Sequence, residues 1–359
     1  MERTDPLAGP RASRPAHAHA HEAGLEARGP ARLPLEVKNL STTLFTRRGE
    51  MKAVDGLSLA VGAGETVALV GESGCGKSVT AFSVMRLLPP NARVVSGRIL
   101  FEGGDLLAAS PPEMRAIRGK QVSLIQQEPM TSLNPVLSIG TQIGEVIRHH
   151  DKVSRRAARA RGIELLDLVS IPDAHRRIDD YPHNLSGGMR QRVMIAMAVA
   201  CGPKLLIADE PTTALDVTTQ AQVLDLLDDL RRRLSMAVLL ITHDLGVVAQ
   251  WADRINVMYA GRIVEQAGIR PFFARPMHPY SRGLLGARVD VDADEHYSAN
   301  RLSEIPGSVG SAAGEAGCPF APRCPLVEPS CRAAPPPLLA FEAERSVACP
   351  VTLEAAHHG

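Results

Sequence analysis

Gly71-Glu72-Ser73-Gly74-Cys75-Gly76-Lys77-Ser78 sets glycines, a lysine and a hydroxyl at GxxxxGK[ST] spacing. Glycine lets a backbone approach phosphates closely and turn several N–H groups inward. In such a loop Lys77 reaches the outer phosphates and Ser78 ligates Mg²⁺. Further on, Leu205-Leu-Ile-Ala-Asp209-Glu210 is an apolar run ending in two acids. Carboxylates at the C-terminal end of a buried strand face the crevice where ligands bind in open α/β sheets. Asp209 would hold the metal through its water shell, and Glu210 would orient an attacking water or take its proton. Ahead of Pro211 the same acids would also serve as helix caps. Leu185-Ser186-Gly187-Gly188-Met-Arg-Gln191 offers a second set of backbone donors at a helix start. One terminal phosphate needs only one cradle, so the segment is either a plain capped helix or half of a site that shares its ligand with a second subunit.

The elements that position these residues alternate strand and helix. Leu35–Leu40 and Leu57–Val61 alternate apolar and polar, as half-buried strands do. Thr66–Val70 is continuously apolar, as in a strand buried on both faces. A helix is expected from Lys77 to Leu88, stopped by Pro89-Pro90. Val122–Ile125 is a short buried strand. From Thr141 to Ser170 the period turns helical, with Ile143, Val146 and Ile147 on one face and Leu165, Leu168 and Val169 on another. The basic run Arg155–Arg161 reads as a solvated face. Further helices are expected at Val193–Ala200 and in the strand–loop–helix Lys204–Arg233, with another strand at Ala237–Thr242. Met258–Glu265 resembles a hairpin turning at Ala260-Gly261. Strands alternating with crossover helices give an α/β fold with a parallel sheet.

The 359 residues carry 40 Lys+Arg against 39 Asp+Glu, with aromatics at 3%. Neither a basic excess nor stacking platforms favour a nucleic-acid partner. No apolar run approaches the roughly 18–20 residues of a membrane span, and no secretory leader is apparent. Residues 1–33 read as a disordered leader. Its alternating His17, His19 and His21 suit a solvated tail better than metal capture.

Four of the six cysteines, Cys318, Cys324, Cys331 and Cys349, lie in a Pro-rich tail with little core of its own. That suggests a metal staple. The spacing is not a CxxC zinc ribbon, and four thiolates suit a [4Fe–4S] cluster; zinc and unligated thiols stay open.

Together these motifs resemble the ATP-binding subunits of ABC transporters, over roughly Leu35–Arg270. The Leu185–Gln191 segment is the specific mark. Gln127 matches that family's Q-loop, Ala214-Leu-Asp216 its D-loop and Thr242-His243-Asp244 its switch histidine. The resemblance implies a P-loop NTPase core with an antiparallel β subdomain and a helical insert at about 128–184. A cassette at 34–270 and an extension at 271–359 follow. It implies ATP on Gly71–Ser78, Mg²⁺ on Ser78, Asp209 and Gln127, and catalysis by Glu210, His243 and Gln127. Ser186, Gly187, Gly188 and Gln191 would close on ATP held by a partner subunit. Phe45 is a candidate to stack on adenine. Cys75 stands where Ser is more usual; the exchange reads as innocuous, the alternative being that Lys77 beside it lowers the thiol's pKa and makes it sensitive to alkylation.

Leu124–Pro135, with its Pro-Met-Thr-Ser-Leu-Asn-Pro, Met277-His-Pro-Tyr-Ser-Arg-Gly-Leu-Leu285, Ile305-Pro-Gly307 and Gly317-Cys-Pro-Phe-Ala-Pro-Arg-Cys-Pro325 are similar to the branch that imports dipeptides, oligopeptides, nickel or related small solutes. That branch carries a [4Fe–4S] cluster in one of its two ATPase subunits, which favours iron over zinc here. The resemblance further implies a related second ATPase, two membrane permeases, an extracytoplasmic solute-binding protein, and a place at the cytoplasmic face of the cell membrane. A non-transport ABC ATPase acting on DNA or ribosomes, or a non-hydrolysing regulatory cassette, is the alternative; the short insert and the intact Glu210 and His243 argue against these.

Overall fold

Five short, largely apolar parallel strands carry the site at their C-terminal ends. The computed structural model describes residues 33–357 apart from 48, 128–131, 214, 287–304, 313–314 and 343. The leader expected at 1–33, except Leu33, lies outside the described residues, as do the first residues of the insert and Ala214.

Two sheets are present among the described residues. The smaller is antiparallel, in the order β2 (Gly49–Val61), β1 (Leu35–Thr46), β4 (Ala92–Phe101), β5 (Gly104–Asp105). The larger runs β11 (Leu339–Glu342), β12 (Arg345–Val347), β10 (Arg262–Gly268), β9 (Arg254–Tyr259), β3 (Thr66–Val70), β8 (Ala237–Thr242), β7 (Leu205–Asp209), β6 (Val122–Ile125). From β9 to β6 the strands are parallel. Strands β3, β7 and β8 are buried at every position, which is why they read as continuous apolar runs rather than alternating ones.

Register does the positioning. Val70 lies opposite Thr242, and Asp209 opposite Ile241. The ends of β3, β7 and β8 therefore deliver Gly71, Glu210 and His243 to the same edge. Strand β6 delivers Gln127 there too.

The hairpin is longer than expected, Arg254–Gly268, and turns on two residues with positive φ, Ala260 (44°) and Gly261 (84°), which matches strand twist. The first helix ends at Met85, before the prolines. Arg86 takes a left-handed conformation (φ 50°) and its N–H bonds back to Phe82 and Ser83 carbonyls, so the cap, not Pro89, stops it. The helical stretch divides into Ile139–Asp151 and Arg155–Leu168, capped by Ser138 and Ser154. Its apolar faces pack on the helix Gly187–Val199, with Ile143, Ile147, Leu165 and Val169 all nearly or fully buried. Arginines of the basic run pair locally, Arg159 with Asp179 at 2.6 Å and Arg161 with Glu164 at 2.8 Å. Such exposed pairs are worth only about 0.2–1 kcal/mol each, so the apolar face holds this lobe.

The cysteine-bearing extension joins the main sheet: β12 pairs with β10, Glu265 facing Val347. Buried Glu265 accepts the N–H groups of Met277 (2.9 Å) and His278 (2.8 Å), with Arg345 at 3.6 Å. Phe320 and Tyr280 pack edge-on against Tyr259 of β9, with centroids 5.2 and 4.7 Å away.

Candidate nucleotide-binding and hydrolysis site

The loop Gly71–Ser78 bridges β3 and the helix Lys77–Met85. Gly76 has φ 110°, and a Cβ there would lie 2.2 Å from the Ala53 carbonyl oxygen. No other residue fits that turn, which gives the sequence pattern its structural reason. Lys77 is nearly buried, and its ammonium donates to the carbonyls of Gly71 (2.8 Å) and Glu72 (3.0 Å). The cation is thereby folded across the mouth of its own loop, facing where phosphates would lie.

The surroundings of Cys75 favour the innocuous reading over alkylation sensitivity. The residue is 1% exposed, and burial pushes its pKa up more strongly than Lys77 pulls it down.

Asp209 ends β7, 4% exposed. Burial pushes its carboxyl above the usual carboxylate range, Glu210 adds to this, and a hydrogen bond from Ser78 and the Lys77 charge oppose it. Its Oδ1 is buried without a hydrogen-bond partner. An orphaned carboxylate oxygen next to a serine hydroxyl fits Mg²⁺, which takes one or two protein oxygens and keeps most of its waters.

Glu210 is the meeting point of the site. Its backbone is left-handed (φ 47°), a strained conformation for a non-glycine residue, and its N–H is held by the Ile241 carbonyl at 2.9 Å. Gln127 Nε2 donates to Oε2 at 2.8 Å, Thr213 Oγ1 donates to the same oxygen at 3.0 Å, and His243 Nδ1 lies 3.1 Å from Oε1. Three segments far apart in sequence thus converge on one carboxylate. Thr213 was not anticipated; its place three residues after Glu210, inside a Pro-Thr-Thr turn, was the signal available.

Ser186 caps the helix Gly187–Val199, which starts inside the glycine segment and not at Val193 as expected; its Oγ accepts the Met189 N–H at 3.3 Å. Ser186 and Gly187 are exposed and Gly188 half-buried, so this helix start faces outward. Gln191 does not share that exposure. It is 1% exposed, with both ends of its amide unpartnered. Asp216 caps the next helix, Val217–Leu234, through the Thr219 N–H at 3.0 Å. Phe45 carries the Arg93 guanidinium over its ring at 4.5 Å, so one face is already taken.

All four late cysteines are free thiols lining one cavity of about 240 Å³, along with His278, Pro279 and Phe320. Burial raises the pKa of Cys318 to about 11 and raises Cys324 also. The Cys318 N–H bonds to the Cys331 carbonyl at 2.7 Å, and a Cβ on Gly317 would come within 2.2 Å of that oxygen. Glycine before Cys318 is therefore what lets the two cysteine loops touch. Among the described residues no group of three or more His, Cys, Asp or Glu is drawn together around a single ion position.

Comparison with known proteins matches the same regions. Residues 54–213 match the ABC transporter family, and residues 264–331 match the C-terminal region of oligopeptide/dipeptide transporters. A probable peptide ABC transporter ATP-binding protein of Sinorhizobium fredii is 50% identical over 321 residues, covering 89% of this chain and 95% of that protein. A dipeptide transport ATP-binding protein of Bacillus subtilis is 52% identical over 295 residues, 81% of this chain and 86% of that one. Among solved structures, a dimeric ATP-binding cassette in a post-hydrolysis state with ADP and phosphate aligns with TM-score 0.59 and 26% identity, over 66% of this chain and 99% of the other.

Proposed function

Because the chain belongs to the ATP-binding proteins of the ABC transporter family, we propose that it drives import of di- and oligopeptides across the cytoplasmic membrane. It is an ABC-type ATPase, and as such it works as a dimer with membrane permease subunits. Among the described residues no helix is long and apolar enough to cross a membrane, so the permeases would supply the passage. We place the chain peripherally at the cytoplasmic face. Its partners would be a related second ATPase, two permeases and an extracytoplasmic binding protein. The observation that carries the reading is the convergence of Gln127, Thr213 and His243 on Glu210, beside the Lys77 loop and Asp209.

The chain's own groups divide the work as follows. Loop N–H groups and Lys77 bind the β- and γ-phosphates. Ser78 and Asp209 would hold Mg²⁺, whose chemistry when bound is to neutralise charge on the phosphate oxygens. Glu210 takes the proton of the attacking water. Gln127 and Thr213 fix one carboxylate oxygen, leaving His243, on the other, to turn toward the γ-phosphate; its side chain is 64% exposed. The outward helix start at Ser186–Gly188 would close on the nucleotide of the partner subunit. Gln191, turned inward, would support that helix rather than touch the ligand. Hydrolysis then loosens the dimer, and the two dimer states move the permeases.

Lys77→Met removes the loop's cation. Equilibrium binding should weaken by roughly 10²-fold, the scale of losing charge-assisted contacts to phosphate; unchanged affinity would remove the loop from the site. His243→Ala should cut kcat by about 10–100-fold while KM for ATP stays within a few-fold, as for a group used in the transition state. A matching rise in KM with kcat intact would make His243 a binding group instead.

The same reading assigns a [4Fe–4S] cluster to Cys318, Cys324, Cys331 and Cys349. It is supported by all four thiols lining one apolar cavity and by the Leu326 N–H donated to Cys324 Sγ at 3.4 Å, the type of bond that tunes such clusters. When bound, the cluster would staple the loops of the extension together.

A further inference from the structure

The extension reaches the phosphate loop itself, and we propose that Arg323 and Tyr280 are positioning residues for nucleotide binding, acting through Glu72. This rests on Gly71–Ser78 being the nucleotide loop.

Arg323 is fixed from all sides. Its side chain is 4% exposed, Nε donates to the Pro306 carbonyl at 2.7 Å, and Nη2 donates to Ile305 at 3.1 Å and Gly307 at 3.4 Å. Those partners are neutral. The anion it meets is the Glu72 carboxylate, 2.9 Å from Nη1, which also donates to the Tyr259 hydroxyl at 3.3 Å. A nearly buried guanidinium gains little from carbonyls alone, so its pairing with Glu72 is strongly held. Tyr280, fully buried, accepts the Glu72 N–H on its hydroxyl at 2.8 Å. Glu72 is thus tied to the extension at both its side chain and its backbone. On its other side the Glu72 carbonyl accepts the Lys77 ammonium at 3.0 Å. The path from extension to phosphate-binding cation is one residue long.

The geometry has a consequence for the loop. With its N–H turned to Tyr280, Glu72 is held out of the ring of amides facing the phosphates, and the loop's first turn cannot rotate freely. A loop fixed before binding loses less entropy on binding. Arg323 is also the neighbour of Cys324, so the order of the cysteine loops bears on the same tie.

The test measures ATP binding by the full chain and ATP turnover by the assembled complex. Arg323→Met should raise the ATP Kd about tenfold, and Tyr280→Phe, which keeps the ring packing but loses the acceptor, about threefold, the range of one charged and one neutral hydrogen bond. KM for ATP should rise more than kcat falls. Arg323→Lys, keeping the charge without the fork, should recover part of the affinity. Glu72→Gln removes the charge from the same tie without touching the extension, so it keeps the test open if Arg323→Met fails to fold. Combined with Arg323→Met it should weaken binding no further than either alone. Wild-type affinity in both Arg323→Met and Glu72→Gln, or fully additive losses, would overturn the proposal. Either result with Lys77→Met still impaired would leave the loop reading intact; Lys77→Met binding normally would instead sink the loop reading.

Discussion

Glu210→Gln should stop turnover while ATP stays bound. The amide matches the carboxylate in shape, so its oxygen can still accept from Thr213 and Gln127, and nothing that binds phosphate is altered. What is lost is the ability to accept a proton from water. General-base catalysis is worth about 10²–10⁴-fold, and the kcat of the site should fall by that amount. ATP should accumulate uncleaved on the purified complex and hold its two ATPase subunits together. If the second subunit is a related chain with its own acid, the residual rate belongs to that other site. A complex with the substitution in every ATPase subunit and a normal rate would remove Glu210 as the base.

Cys324→Ser should leave the cassette folded and the extension loose. A serine hydroxyl is a far poorer ligand to cluster iron than a thiolate, so anaerobically purified wild-type chain should carry iron and acid-labile sulfide in equal amounts, and the variant should lose most of both. Hydrogen exchange should then rise at β12 and in the cysteine loops, and not in β3, β7 or β8. If about 3 kcal/mol is lost with the staple, the thermal midpoint falls by roughly 4 °C for a chain of this size. Wild-type chain free of iron, with the same protection pattern as the variant, would reduce the four cysteines to packing thiols.

The parts most legible in the sequence were those where one residue type alone fits. Gly76 is set by a carbonyl 2.2 Å from where a Cβ would be, and the Asp209-Glu210 pair by its place at the end of an apolar strand. The buried strands were legible because burial on both faces erases alternation. Convergence was not legible from spacing. Gln127 and His243 meet Glu210 only through strand order and register, which local pattern does not encode, whereas Thr213 reaches it through a local turn. Helix ends were misplaced where a left-handed cap at Arg86, and not proline, did the stopping. Cys75 left two readings open because sequence offers its charged neighbour Lys77 but not its burial. The union of extension and main sheet left no signal at all. Arg323 and Tyr280 sit in Pro-rich, aperiodic segments, and their partner Glu72 lies 251 residues before Arg323.

Central to this account is that ATP hydrolysis by this chain is tied to peptide uptake. The most direct measurement is the ATPase rate of the chain with its permeases in membrane vesicles, with and without the binding protein and a series of di- and oligopeptides inside the vesicle lumen on the binding-protein side. Stimulation by liganded binding protein, abolished by Glu210→Gln, is the predicted result. A rate indifferent to every peptide, or stimulated only by a solute such as nickel, would contradict it.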